Sequence, residues 1–189
     1  MVKSILLVGV GGQGTILVSK ILCEGLVEEG FDVKMSEIHG MAQRGGSVTT
    51  QIRYGDKVHS PSIDPGQADI LVGFEKLEGA RYLDQLKKDG ILILNEEEIY
   101  PLPVLVGTEK YPKDLLEEIK GKINNIKSIN ARRIAEDLGE PRSQNIVILG
   151  IIVSSLKLQN IDWISLIKKN LPEKVHEVNI KAFEKGLTI

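Results

Sequence analysis

The sequence predicts an α/β fold: a mainly parallel sheet flanked by helices, with a β-hairpin insertion and C-terminal helices. Three observations point there. Short apolar runs at residues 4–9, 70–74 and 91–95 read as strands covered on both faces. They are separated by stretches of helical period, which is the signature of crossover units. Residues 47–54 instead alternate with period two, the mark of a half-exposed strand. A chain of 189 residues can bury one full-sized core, so a single domain over residues 1–189 is expected.

In chain order, the run at residues 4–9 ends in glycines just before Ile16, Leu17, Ile21, Leu22 and Leu26, giving strand, tight turn and helix. Gly30 stops that helix, and residues 31–37 read as a second strand completing a right-handed crossover. Residues 37–48, "EIHGMAQRGGSV", have neither period and hold three glycines, the composition of a functional or docking loop. Val48, Thr50, Ile52 and Tyr54 then alternate with Ser47, Thr49, Gln51 and Arg53, and Gly55-Asp56 offers a hairpin turn into residues 57–60. After the turn Asp64-Pro65-Gly66 come strands at 70–74 and 91–95 with a helix at 75–86 between them. Residues 113–120 and 131–138 read as helices and 123–129 as a strand, with Asn130 placed to cap the second of these helices. Residues 143–158 form a helix apolar almost all round, which must be buried on more than one side, by its own sheet and last helices or by another subunit. Asp162 can cap a helix at 163–169, and Pro172 can open the final one, running to about Gly186.

Composition removes several function classes. Lys plus Arg is 24 against 26 for Asp plus Glu, so a net charge of −2 gives no broad pull toward nucleic acid or an anionic membrane, and neither is expected as a partner. Cys23 is the one cysteine, so an internal disulfide, a Cys-rich zinc site and a four-cysteine iron–sulfur site are excluded, and a cytoplasmic location is expected. No metal site is expected. The N-terminus enters a strand directly without a basic leader, and no apolar run reaches the roughly 18 residues that a membrane span needs.

Gly9, Gly11 and Gly14 in "VGVGGQGTILVSK" have the spacing G-x-G-x-x-G. Glycines let backbone come close, and the helix after them offers unpaired N–H groups to an anion, so Gly9, Gly11, Gly12, Gln13 and Gly14 form a candidate anion site. Glu37 sits where a ribose-binding acid would end the second strand. The other reading, glycines needed for turn sterics and close strand–helix packing, remains open. In the next loop, Arg44 with Gln43, Gly45 and Gly46 could hold a phosphate or carboxylate, or Arg44 could pair with an acid. His39 and His59 could serve as acid/base groups, but no third residue at recognisable spacing makes a triad or metal site of either. Cys23 lies on an apolar helical face and reads as a packed thiol, Glu96-Glu97-Glu98 as solvated surface, and Trp163 as a packing anchor.

"GVGGQGTILVSKIL", "HGMAQRGGSV", "RYGDKVHSPSI", "ADILVGFEKLEGAR", "QNIVILG" and "NIKAFEKG" occur in this order. Together they resemble the beta subunit of indolepyruvate ferredoxin oxidoreductase, and are similar to gamma subunits of pyruvate and other 2-oxoacid ferredoxin oxidoreductases. The resemblance runs from Gly9 to about Gly186. It implies a Rossmann-like scaffold and a subunit, noncatalytic on its own, of an enzyme that oxidatively decarboxylates a 2-oxoacid to an acyl-coenzyme A. Thiamine diphosphate, iron–sulfur clusters and coenzyme A are then expected through a catalytic alpha-type partner, with ferredoxin engaged indirectly and no cofactor bound by this chain alone. Consistently, the sequence has no G-D-G followed by an Asn pair for thiamine diphosphate and its metal. His39, Met41, Gln43, Arg44, Gly45 and Gly46 are the expected contact loop toward that partner. A free-standing nucleotide-binding Rossmann protein is the alternative from another class.

Overall fold

The computed structural model describes residues 2–40 and 45–189. Its sheet has six strands in the order β2-β3-β1-β4-β5-β6: β1 (Lys3–Val10), β2 (Asp32–His39), β3 (Ser47–Gly55), β4 (Ala68–Gly73), β5 (Leu86–Asn95) and β6 (Ile126–Ile129). β1, β4, β5 and β6 pair in parallel. β3 runs antiparallel to both β1 and β2, so among the described strands it alone is reversed.

The continuous apolar run of β1 is explained by two cores. Ile5 and Leu7 face one cluster with Ile52, Ile70, Val72 and Ile93, while Leu6 and Val8 face a second with Leu71, Leu92 and Leu94. Alternation is present, but both faces are covered. The first face carries α1 (Thr15–Glu28), α6 (Gln144–Leu156), α7 (Trp163–Asn170) and α8 (His176–Leu187); the second carries α2 (Lys76–Arg81) and α4 (Leu115–Lys122).

The cover of the apolar helix is settled within the chain. Ile146, Val147, Ile148, Leu149, Ile151, Ile152 and Val153 of α6 are at most 1% exposed, packed among α1, the sheet, α7 and α8. Seven such side chains, at roughly 1.5–3 kcal/mol each, would cost about as much as the whole stability of an ordinary domain if left wet.

Several expectations are corrected. The crossover β1-α1-β2 exists, but its strands are not neighbours: β3 lies between them. The hairpin is formed by β2 and β3 around residues 40–46, not by a turn at Gly55-Asp56. Residues 57–60 are not a strand, because side chains rather than a ladder hold this segment: Asp32 accepts from Val58 N at 2.8 Å, Gln51 from Ile63 N at 2.7 Å, and Arg53 Nη1 donates to the Ser60 carbonyl at 3.3 Å. The helix expected at 75–86 stops at Arg81; a 3-10 turn at Leu83–Gln85 comes next, and Leu86 already belongs to β5. The short α3 (Leu102–Leu105) gave no sequence signal, being a single turn after Pro101. The expected caps are present: Asn130 accepts from Arg133 N ahead of α5 (Ala131–Asp137), and Asp162 from Ser165 N ahead of α7.

Candidate functional site

The glycine turn stands at the C-terminal end of β1, the end of an α/β sheet at which ligands are bound. Each glycine has its own cause. Gly12 and Gly14 have φ of +107° and +80°, a region costly to any residue with a Cβ. Gly9 is fixed by crowding, since a Cβ there would stand 2.9 Å from Phe74 Cβ. Gly11 is held by backbone: its N–H donates to the Gly46 carbonyl at 2.8 Å, and Gly45 N donates back to the Gly11 carbonyl at 3.3 Å. The glycine-rich turn and the Gly45-Gly46 end of the loop are therefore one structure, continuing the β1–β3 ladder. Met41, Gln43 and Arg44 lie outside the described residues.

Gln13 proves to be a fastener. Its Oε1 accepts from Val10 N at 2.8 Å, while Nε2 donates to the Phe74 carbonyl at 2.9 Å and to Glu97 at 2.8 Å. One buried amide thus ties the ends of β1, β4 and β5 together and has nothing left for an anion. This also corrects the acidic run. Glu97 is shared by Gln13 and Arg132, Glu96 accepts from Ser128 Oγ at 2.6 Å, and Glu98 pairs with Lys76, so all three carboxylates brace the exit of β5.

Two clefts flank the turn. One, of about 440 Å³, is lined by Gly11, Gly12, Gly14, Thr15, Ile16, His39 and Val48. His39 and Ile16 are exposed at its rim. His59 lies past the other end of β3, so the two histidines do not meet. The second cleft, about 590 Å³, lies between the glycine turn and the start of α6, with Arg132, Arg142, Lys174 and Glu140 at its margin. Glu140 is held by the Arg142 guanidinium, which pulls its carboxyl down to about 2.

Sequence reasoning missed Asn145, the residue that links the turn to this second cleft. It is 6% exposed, lines the cleft, and its side-chain amide has no hydrogen-bond partner among the described residues. A Cβ on Gly14 would lie 2.3 Å from its Nδ2. The starts of α1 and α6 converge here. The 3-10 turn at Pro141–Ser143 already occupies the first N–H groups before α6, with Ser143 N donating to the Glu140 carbonyl and Gln144 N to that of Pro141, so it is the start of α1 that faces the cleft with N–H groups to offer an anion. Buried next to an apolar helix, Asn145 had no spacing that marked it.

The features a dinucleotide site would need are arranged otherwise. Glu37 stands on a strand separated from β1 by β3, and its carboxylate accepts from Ser19 Oγ at 3.1 Å. Cys23 packs on Met35, with burial and then Glu37 pushing its thiol up to about 12. A single thiol so disposed does not fit an iron–sulfur cluster. On the far side of the sheet Glu75, 1% exposed, caps α2 and accepts from Tyr111 at 2.5 Å and Ile99 N at 3.3 Å, anchoring residues 99–111. Among the described residues no group of three or more His, Cys, Asp or Glu could hold a metal ion, and no helix is long and apolar enough to cross a membrane.

Known proteins agree with this fold. The chain is 38% identical over 182 residues to the indolepyruvate oxidoreductase subunit IorB of Methanothermobacter thermautotrophicus, covering 94% of this chain and 92% of that one. It is 31% identical over 178 residues to the common gamma subunit of the pyruvate/ketoisovalerate oxidoreductases of Pyrococcus abyssi, covering 92% and 89%. The gamma subunit of a keto/oxoacid ferredoxin oxidoreductase from Geobacter sulfurreducens shares the fold, with a TM-score of 0.71 at 24% identity over 98% of this chain and 96% of that one. The pyruvate ferredoxin/flavodoxin oxidoreductase model matches residues 4–189. Matched by the family model over residues 4–189 and sharing 38% identity with a relative covered over 92% of its length, the chain belongs to the pyruvate ferredoxin/flavodoxin oxidoreductase family.

Proposed function

We propose that this chain is the small subunit of an indolepyruvate-type 2-oxoacid ferredoxin oxidoreductase, working in the cytoplasm by completing the reaction chamber of a catalytic alpha-type partner. The partner holds the thiamine diphosphate and iron–sulfur clusters and passes electrons to ferredoxin. The observation that carries this reading is the division of polar groups at the glycine turn. Gln13 and the backbone of Gly11 are bonded within the chain, whereas the amide of Asn145 makes no hydrogen bond to a described residue and lines an open cleft. Such a site suits an anionic group delivered from outside better than a resident nicotinamide dinucleotide.

Coenzyme A, the thiol acceptor of the acyl group, brings phosphates that suit this cleft. Asn145 would donate to a phosphate oxygen, and Arg142 and Lys174 would balance its charge. The loop with His39, Met41, Gln43, Arg44, Gly45 and Gly46 would meet the partner beside it, Arg44 supplying charge complementarity. Identity is higher to the indolepyruvate type than to the gamma type, which supports an arylpyruvate as substrate. The pyruvate or 2-oxoglutarate gamma role is the close second reading.

Purifying the chain from its own cells tests this. The expected companion carries thiamine diphosphate and clusters, and the complex turns over arylpyruvates faster than pyruvate or 2-oxoglutarate. A companion without that chemistry, or micromolar binding of NAD or FAD by the chain alone, would overturn it.

A further inference from the structure

The opposite end of the sheet, where β1, β4 and β5 begin, carries a cleft of about 720 Å³ that the proposed function does not use. Four lysines line it, Lys3, Lys87, Lys88 and Lys157, against two carboxylates, Asp69 and Asp89. Asp69 is already engaged, accepting from Lys87 at 2.9 Å, from Ser4 N at 2.8 Å and from Lys3 at 3.4 Å. Lys88 and Lys157 make no ion pair with a described residue.

Two hydroxyls at the same place lack partners. Tyr54 is 5% exposed, its ring set edge-on to Phe31 at 5.2 Å, and its hydroxyl, at the cleft, has no hydrogen-bond partner among the described residues. Ser155 Oγ, on the last turn of α6, is buried as well as unbonded. Buried donors normally find partners, so this orphan, beside the unbonded Tyr54 hydroxyl at an open cleft, points to a ligand. Lys157, at the same cleft, ends α6 in the left-handed conformation of a helix C-cap, φ +59°.

The sign of the ligand follows from the charges. Ending here, α6 contributes about half a negative charge. That is too little to cancel the excess of two lysines over the carboxylates. We propose that this cleft is a second anion site, taking a phosphate group whose oxygens accept from Tyr54 and Ser155 and pair with Lys88 and Lys157. A phosphate suits four donors better than a carboxylate does, having three or more acceptor oxygens and close to two charges. Burial pushes the Tyr54 phenol up to about 12, so it stays a donor at neutral pH.

The site lies away from the glycine turn and stands whether or not the chain serves a 2-oxoacid enzyme. Amide NMR of the full chain tests it, with inorganic phosphate and ribose 5-phosphate as probes and sodium chloride at matched ionic strength as the control. Shifts at Gly66, Gly90 and Ser155 are expected. Lys88→Gln/Lys157→Gln should weaken them by at least about tenfold and Tyr54→Phe by several-fold, each change removing a bond to a charged group. Arg142→Gln, at the other cleft, should leave them unchanged. Equal affinity for the two probes identifies free phosphate as the ligand; tighter ribose 5-phosphate identifies an organic phosphate ester. Shifts no larger than those from chloride, or full affinity in the double lysine variant, would overturn the proposal.

Discussion

Gly150 of α6 and Gly186 of α8 are packed back to back. A Cβ on Gly150 would stand 2.3 Å from the Phe183 carbonyl oxygen, and one on Gly186 2.1 Å from that of Val147. Since the obstacles are backbone on both sides, no rotamer change relieves them. Gly150→Ala and Gly186→Ala should each destabilise the chain by about 1–3 kcal/mol as overpacking does. For 189 residues that lowers Tm by roughly 2–4 °C per kcal/mol. Thermal unfolding checks it, and an unchanged Tm would show that the two helices do not meet this closely.

Gln13→Leu removes three hydrogen bonds at once and leaves Val10 N–H without its side-chain partner, while the Phe74 carbonyl keeps only its bond from Asn95 Nδ2 at 3.0 Å. A buried group left unpaired costs about 1–3 kcal/mol. Urea unfolding should show a loss in that range. A loss well below it would mean that Gln13 is free for a ligand after all.

Glu75 gives stability a pH dependence of defined sign. Burial, the largest influence, raises its carboxyl above the usual 4.5, against the opposing hydrogen bond from Tyr111. The folded chain therefore holds this proton more tightly than the unfolded one, and the contribution is full below about 4.5 and declines as pH rises through the folded value. The stability difference between the native chain and Glu75→Gln should shift in favour of the variant as pH rises through that window. A difference flat with pH would remove burial as the dominant influence.

Cys23 should resist alkylation. With its thiol pushed up to about 12, almost none is thiolate at pH 8, and modification by iodoacetamide should await unfolding. Rapid labelling of the native chain would contradict the packed position against Met35.

Which features were legible in the sequence depended on physical range. β1, β4 and β5 were readable because continuous apolar runs between turns leave few alternatives, and Asn130 and Asp162 because capping is local. The placement of β3 between β1 and β2 was not readable, since strand order depends on pairing across the whole sheet. Gln13 drew attention for the right position and the wrong partner: its three bonds reach residues up to 84 positions away. Asn145 was invisible because its meaning lies in Gly14, 131 positions earlier and touching only in the fold.

The central claim is that this chain works only as part of another polypeptide's reaction chamber. Its most direct test is arylpyruvate- and coenzyme A-dependent ferredoxin reduction by the copurifying catalytic subunit, measured with and without this chain, and with Arg44→Ala and Asn145→Ala. Activity should require both polypeptides, Arg44→Ala should weaken assembly or turnover, and Asn145→Ala should raise the KM for coenzyme A by about tenfold, the loss of one bond to a charged group. Full activity of the partner alone, or oxidation of 2-oxoacids by this chain unaided, would contradict the account.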